Sequence, residues 1–175
     1  MAGSLIKIDE EIVTSAVASV TLGGANWDSS YDVYMVRVNN WETQTDARTP
    51  YMRFTVSGTD DTSANYDRAF KFLRGSTTFV NGASTNQTEI QLSANIGTAG
   101  NETLNGVFYL FNFNNASEVS FVTGEMTSRS SGAELYGGQG GALLTVNQAT
   151  DGVTFFLSSS ANIAGGTFTL YGLKK

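Results

Sequence analysis

The side chains that most often perform acid–base, metal and thiol chemistry are missing from this chain. Its 175 residues contain neither histidine nor cysteine. Histidine is the commonest general base and metal ligand, and cysteine is the usual thiol nucleophile. A nucleophilic serine or threonine would need Lys, Asp or Glu as its base. The four lysines, Lys7, Lys71, Lys174 and Lys175, lack the supporting motifs that a Ser-x-x-Lys site requires. We therefore expect no catalytic residues and no enzyme.

Carboxylates are the remaining reactive groups. Glu118 and Glu125 lie in a charge-poor half of the chain, where a pair of carboxylates across a cleft could hydrolyse a glycosidic bond. The alternative places each at a strand end facing water. Asp60, Asp61 and Asp67 crowd one polar segment and are weak calcium candidates. Because their spacing fits no EF-hand and loop Asp residues usually form Asx turns, the turn interpretation is favoured and no metal or cofactor is predicted.

Aromatic residues beside polar segments are candidate contacts for a partner protein or a glycan. These are Trp27, Trp41, Tyr51 and Tyr66. An exposed Trp can stack on a sugar ring or anchor an interface, although large aromatic side chains are more often folded over the edge of a core. Trp41 is the better exposed candidate, because the polar residues 42–44 follow it.

The charge distribution excludes some partners. The net charge is −6, whereas nucleic-acid binders usually carry a basic excess. Residues 152–173 contain no charge, but Ser158–Ser160, Gly165 and Gly166 interrupt them, so they do not predict a membrane span. This uncharged segment is either a polar β surface or a surface that other subunits cover. No secretion signal is visible, since Asp9 ends any apolar run near the N-terminus, and we expect synthesis in a bacterial cytoplasm.

Short apolar runs, several with period-2 alternation, predict an all-β chain. The predicted strands are Ser4–Ile8, Ile12–Leu22, Tyr31–Val38, Met52–Val56, Ala69–Arg74, Ile90–Leu92, Val107–Phe113, Val119–Thr123, Leu143–Val146, Val153–Leu157 and Phe168–Leu170. Val107–Phe113 is apolar on both faces and is predicted to be central and doubly buried. Asp151-Gly152 is a hairpin signal, and the Gly-rich stretch 126–141 and the stretches 57–67 and 95–105 are predicted loops. No phosphate-binding loop is predicted in 126–141, because no Lys-Ser/Thr follows its glycines.

The fold class that follows is an antiparallel β-sandwich, jelly-roll-like, of about ten strands. One domain spans residues 1–175. The first segment, 1–11, is either an N-terminal arm that binds a neighbouring subunit or the domain's own edge strand. The candidate arm residues are Leu5, Ile6 and Ile8.

Four motifs in order carry a resemblance. They are Tyr31-Asp32-Val33-Tyr34, Ala64-Asn65-Tyr66-Asp67, Gly106–Phe113 and the closing Gly165–Gly172, which precedes a basic end. Over about 140 residues this order resembles small virion structural proteins of tailed bacteriophages, particularly phages of marine bacteria. The resemblance implies a non-enzymatic β-sandwich present in many copies on the particle.

Two functions agree with this resemblance. The leading hypothesis is a capsid decoration or cement protein, a homo-oligomer such as a trimer, with the major capsid protein or tail proteins as partners. The alternative is a tail or fibre module that binds a receptor or a host surface glycan. Neither hypothesis includes a membrane or a nucleic acid as partner, and both place the protein in the virion.

Overall fold

The structure, a computed structural model, describes residues 4–174. Within this range thirteen β-strands and two single-turn 3-10 helices, Gly24–Asn26 and Ser158–Ser160, form two antiparallel sheets without any α-helix. The larger sheet has the side-by-side order β1 (Ser4–Val13), β13 (Ile163–Lys174), β3 (Val33–Thr43), β9 (Leu104–Phe111), β10 (Val119–Arg129), β11 (Leu135–Asn147), β6 (Tyr66–Arg74), β7 (Phe79–Gln87). The smaller sheet has the order β2 (Ser19–Gly23), β12 (Gly152–Leu157), β4 (Pro50–Val56), with β5 (Thr59–Asp60) and β8 (Ile90–Gln91) both paired with β4. The predicted all-β antiparallel sandwich is confirmed.

The core lies between the two sheets. Side chains alternate between the faces of a strand, so Tyr34, Val36 and Val38 on β3 all point inward and are buried. Phe168 on the neighbouring strand β13 points into the same core, and Phe155 of the smaller sheet meets Phe168 from the opposite side, with ring centres 5.3 Å apart. Removal of these apolar surfaces from water is the main favourable contribution to folding.

The predicted strand Ile12–Leu22 is wrong as a single element. β1 ends at Val13 and β2 begins at Ser19, and these two strands belong to different sheets. Residues 14–18 carry the chain across the edge of the sandwich, with Val17 paired to Ile163. The small polar residues in this segment permit the crossing, which hydrophobic periodicity alone does not reveal.

The Gly-rich stretch 126–141 is not a loop, because β10 and β11 occupy most of it. Its glycines make room for neighbouring strands. A Cβ added to Gly138 would lie 2.9 Å from the Phe72 ring, and one added to Gly140 would lie 2.3 Å from the Ala69 carbonyl oxygen. The sequence signal that usually marks a turn therefore marks close packing here.

Asp151-Gly152 does not close a hairpin, since β11 and β12 lie in different sheets. The Asp151 carboxylate instead accepts hydrogen bonds from Thr55 Oγ1 (2.7 Å) and the Gly58 N–H (2.8 Å). These bonds fix the crossing from one sheet to the other.

The larger sheet differs from the sequence prediction in two further places. β9 is central, as predicted for 107–113, but its outer face is not covered, and Tyr109 is 38% exposed. Strand β7 was not predicted, because after Phe79 and Val80 its residues are polar or small. Its pairing with β6 stabilises the strand, although most of its residues have low β-propensity.

Candidate docking surface

Two of the four aromatic contact candidates belong to the core. Trp41 lies in β3, beyond the predicted end of that strand at Val38, and is fully buried rather than exposed. Tyr66 is 1% exposed, and its hydroxyl donates to the Asp61 carbonyl and accepts from the Phe54 N–H, each at 3.0 Å. Burial raises the pKa of this hydroxyl. Neither ring can reach a partner without unfolding of the core.

The other two aromatic candidates are half-buried. Trp27 follows the first 3-10 turn and packs on Tyr34 and Phe113, with ring centres 4.0 Å and 5.5 Å away. Tyr51 stacks on Phe156 with ring centres 5.6 Å apart. The four candidates therefore do not share one exposed aromatic groove.

The candidate arm residues lie in the domain's own sheet. Leu5 and Ile6 stand opposite Leu173 and Gly172 of β13, and Ile8 is partly buried against the core. The segment from Ser4 onward is thus an edge strand and not a free arm. Residues 1–3 of the predicted arm lie outside the described residues.

The three aspartates do not crowd one loop. Asp60 in β5 accepts from Thr154 Oγ1 (2.5 Å), and Asp61 accepts from the Ser63 N–H (2.8 Å) in an Asx turn. Asp67 lies in β6 and accepts from the Asn86 N–H (2.9 Å). Within residues 4–174 no cluster of three or more acidic or other metal-ligating side chains could hold a metal ion.

The carboxylates of Glu118 and Glu125 do not face one cleft. Glu118 precedes β10 and bonds the Asn115 amide, whereas Glu125 lies on the outer face of β10 and accepts from Gln139. Val119 and Glu125 are six positions apart along an extended strand, a distance of roughly 20 Å. A glycosidase pair needs about 5–10 Å, so this pair is excluded.

An apolar stripe crosses the outer face of the larger sheet, the face that points away from the smaller sheet. The cross-strand register places its side chains in two adjacent rows. We define the apolar stripe as Leu5, Leu173, Val33, Phe111, Phe121 and Leu143 in the first row and Tyr171, Met35 and Tyr109 in the second. The first row spans six strands, about 24 Å at the usual strand spacing.

The apolar stripe faces water without a cover from the described chain. Leu5 is 49%, Phe121 39% and Tyr109 38% exposed, and the others are half-buried by one another. An antiparallel sheet normally places polar residues on its solvent face. Contiguous exposed apolar patches of this kind mark interaction sites.

Charged and polar groups border the apolar stripe. The next row along the strands contains Glu10, Arg37, Glu125 and Lys71. A groove of about 450 Å³ opens there, and Arg37, Asn105 and Glu125 line it together with apolar residues such as Val107. An apolar centre with a polar rim is the usual anatomy of a protein–protein interface.

An ion pair with two guanidinium contacts lies at a corner of the same sheet. Arg74 on β6 donates through Nε to the Glu134 carboxylate (2.9 Å) and through a second guanidinium nitrogen to the same carboxylate oxygen. These bonds lower the pKa of Glu134 to about 2 and raise that of Arg74. The pair and the bond from the Ser76 N–H to Glu134 (3.3 Å) fix the turn before β11.

Comparison with known proteins identifies no family. No family model and no curated protein matches this chain. Among solved structures, the structure of infectious bursal disease virus Gt strain aligns with 95% of this chain and 40% of that chain, at 9% identity and a TM-score of 0.14. The chain thus spans less than half of that protein, and a likeness of this size supports no inference. Within residues 4–174 no helix has the length and apolarity needed to cross a bilayer.

Part of the apolar stripe is visible in the sequence, in a strand that is apolar on both faces. Residues 107–111 are apolar on both faces, which typically indicates burial on both sides. Only the inward residues Phe108 and Leu110 are buried in the core, whereas Tyr109 and Phe111 belong to the apolar stripe. A strand with two apolar faces in a sheet with one covered face is the signal of a docking surface.

Proposed function

We propose that this protein is a non-enzymatic structural protein of a virus particle, a capsid decoration or cement protein that binds the shell through the apolar stripe. The observation that carries the proposal is the exposed apolar face itself. The phage-type resemblance of the sequence points in the same direction.

The size of the apolar stripe fits an interface core rather than a whole interface. Two rows about 7 Å apart and about 24 Å long cover an area on the order of 300 Å² with their margins. A stable interface buries about 800 Å² on each partner. The polar rim with Arg37 and Glu125 would supply the remainder and set the orientation.

The experiment is a reconstruction of particles that carry the protein by electron cryomicroscopy, together with rebinding of purified variants to stripped particles. We expect copies in lattice positions with the outer face of the larger sheet against the shell. Phe121→Arg places a charge at the centre of the apolar stripe and should reduce rebinding at least tenfold. The matched control is Ser19→Arg, because Ser19 is exposed on β2 of the smaller sheet, on the opposite side of the sandwich from the apolar stripe.

Equal rebinding of the two variants would remove the apolar stripe from the interface. Absence of the protein from purified particles would overturn the proposal as a whole. A copy number of three or six per particle would place the protein in the tail instead of on the shell.

A tail or fibre module that binds a glycan is the second candidate. The groove beside the apolar stripe favours it, since it combines an apolar floor with the amide of Asn105, the carboxylate of Glu125 and the guanidinium of Arg37, which can bond sugar hydroxyls. Binding on a glycan array that is lost in Asn105→Ala and retained in Ser19→Arg would support this function. An array without any binding would dismiss it.

A further inference from the structure

Strand β7 is an open edge of the larger sheet, and from Phe79 to Ser84 it carries no charge, proline or irregularity of its own. Natural edge strands are blocked by charges, proline or bulges, because unpaired backbone groups pair readily with another chain. From Phe79 to Gln87 there is neither a charged residue nor a proline, and Phe79 is 65% exposed. The opposite edge, β1, carries four charged residues between Lys7 and Glu11. The two edges therefore differ in their capacity to pair.

The ladder between β6 and β7 determines which backbone groups of β7 are free. The Arg74 N–H donates to the Thr78 carbonyl at 3.0 Å, and hydrogen-bonded pairs alternate along an antiparallel ladder. The even-numbered residues Val80, Gly82 and Ser84 therefore bond β6. The odd-numbered residues from 79 to 83 direct their N–H and C=O groups away from the sheet.

We propose that β7 pairs antiparallel with β7 of a second copy, about a two-fold axis at Asn81. In this register Phe79 of each copy stands opposite Ala83 of the other, and the two copies of Asn81 stand opposite each other. These three pairs use all outward-directed residues of both copies and form two hydrogen bonds each, six in total. It also sets large side chains against small ones, since Val80 then stands opposite Gly82. The inference rests on the proposed function, because a particle protein present in many copies has neighbours to pair with.

Other registers use the edge less well. The pairing of β7 with β6 shifts register between Tyr66/Gln87 and Arg68/Ser84, and Asn86 has a positive φ of 54°. This irregularity interrupts the ladder beyond Ser84, so an axis at Ala83 would lose bonds at one end. The charge pattern also permits the axis at Asn81: Lys71 stands beside Asn81, and the two Lys71 side chains would lie three strand spacings apart, about 14 Å, beyond the screening length.

The contact is small. The five paired residues of each strand span about 17 Å, and an edge-to-edge strip of this length buries far less than the roughly 1,200 Å² of a stable complex. We therefore expect a weak dimer in solution that becomes populated where copies are held side by side. Disulfide cross-linking detects such a weak dimer more sensitively than a measurement of molecular mass in solution.

The test uses single cysteines, since the chain has none of its own. In the proposed register the two copies of position 81 lie about 5.5 Å apart at Cα, within the range of a disulfide. The two copies of position 83 lie about four residues apart along the strand, roughly 14 Å. With oxidised glutathione as the oxidant, Asn81→Cys should form disulfide-linked dimer at least tenfold faster than Ala83→Cys.

Equal rates for Asn81→Cys and Ala83→Cys would refute this register. A mixture of Asn81→Cys with Lys7→Cys that forms the mixed dimer faster than Asn81→Cys alone would show pairing of β7 with β1 and overturn the proposal.

Asn81→Cys combined with Thr85→Lys serves as a folding and charge control, since Thr85 lies beyond the paired residues, and should cross-link as well as Asn81→Cys alone. Thermal unfolding followed by circular dichroism verifies that each variant folds. If Phe121→Arg abolishes particle binding while Asn81→Cys fails to cross-link, the proposed function stands and the pairing falls.

Discussion

Replacement of Trp41 by alanine separates a structural role from a ligand-binding role. The indole is fully buried and meets Phe155 of the smaller sheet and Phe168 of the larger one edge-on, with ring centres 5.7 Å and 5.4 Å away. Truncation of a buried Trp to Ala usually costs about 3–5 kcal/mol. For a chain of this length each kcal/mol corresponds to about 2–4 °C in Tm. We expect Trp41→Ala to lower Tm by about 6–20 °C.

Trp41→Phe is the matched control for this experiment. No acceptor among residues 4–174 reaches the Trp41 indole N–H, so the change to Phe removes ring surface but no hydrogen bond. The loss should be about 1–2 kcal/mol, as for other core changes that keep an aromatic ring. Urea unfolding followed by far-ultraviolet circular dichroism measures both variants, because Trp27 complicates a fluorescence readout. A loss below 1 kcal/mol in Trp41→Ala would refute the inter-sheet role of this residue.

Two further predictions concern the larger sheet. Gly124→Ala should destabilise the fold by about 1–3 kcal/mol, because the added Cβ would lie 2.4 Å from the Phe108 ring, whereas the exposed Gly100→Ala meets nothing within 4 Å and should be neutral in the same urea unfolding experiment. The Arg74–Glu134 pair has its full stabilising effect above the ordinary Glu pKa of 4.5 and loses it as the pH falls towards 2. Glu134→Gln should therefore lower Tm by about 1 °C at pH 7, and this difference should shrink as the pH falls from 4.5 towards 2, where half of the Glu134 carboxylates are protonated. A difference between the two proteins that is as large at pH 2 as at pH 7 would contradict the ion pair as its cause.

The sequence predicts the fold class because period-2 patterns are local. Met52, Phe54 and Val56 alternate with Tyr51, Arg53 and Thr55 in the sequence. Strand β4 forms at these residues. Predictions failed where a neighbouring strand decides the structure. The glycines around Gly140 become a strand because β6 approaches them too closely for a side chain, and the polar strand β7 forms because β6 offers it a ladder.

The candidate site was harder to predict for a related reason. Whether an aromatic residue faces the core or water depends on strand direction and on which face is covered. Trp41 lies beside polar residues in sequence but points inward, whereas Tyr109 lies in the most apolar run and points outward. Local polarity therefore ranked these two residues in the wrong order. Only the register across the larger sheet unites Leu5, Val33 and Phe121 in one surface.

The unequal size of the two sheets explains why both proposed surfaces lie on the larger one. Eight strands stand on one side of the core, and the smaller sheet is at most four strands wide at any level, so strands at the margins of the larger sheet lack a full cover. Val80 on β7 and Ile6 on β1 are accordingly 39% and 40% exposed, although both side chains lie on the inner face of the larger sheet. The edge of β7 and the apolar stripe also point in different directions, one within the plane of the sheet and one perpendicular to it. A single copy can therefore contact a shell with its face and a neighbouring copy with its edge, which is the geometry that a protein needs to bind a surface and link its own copies across it.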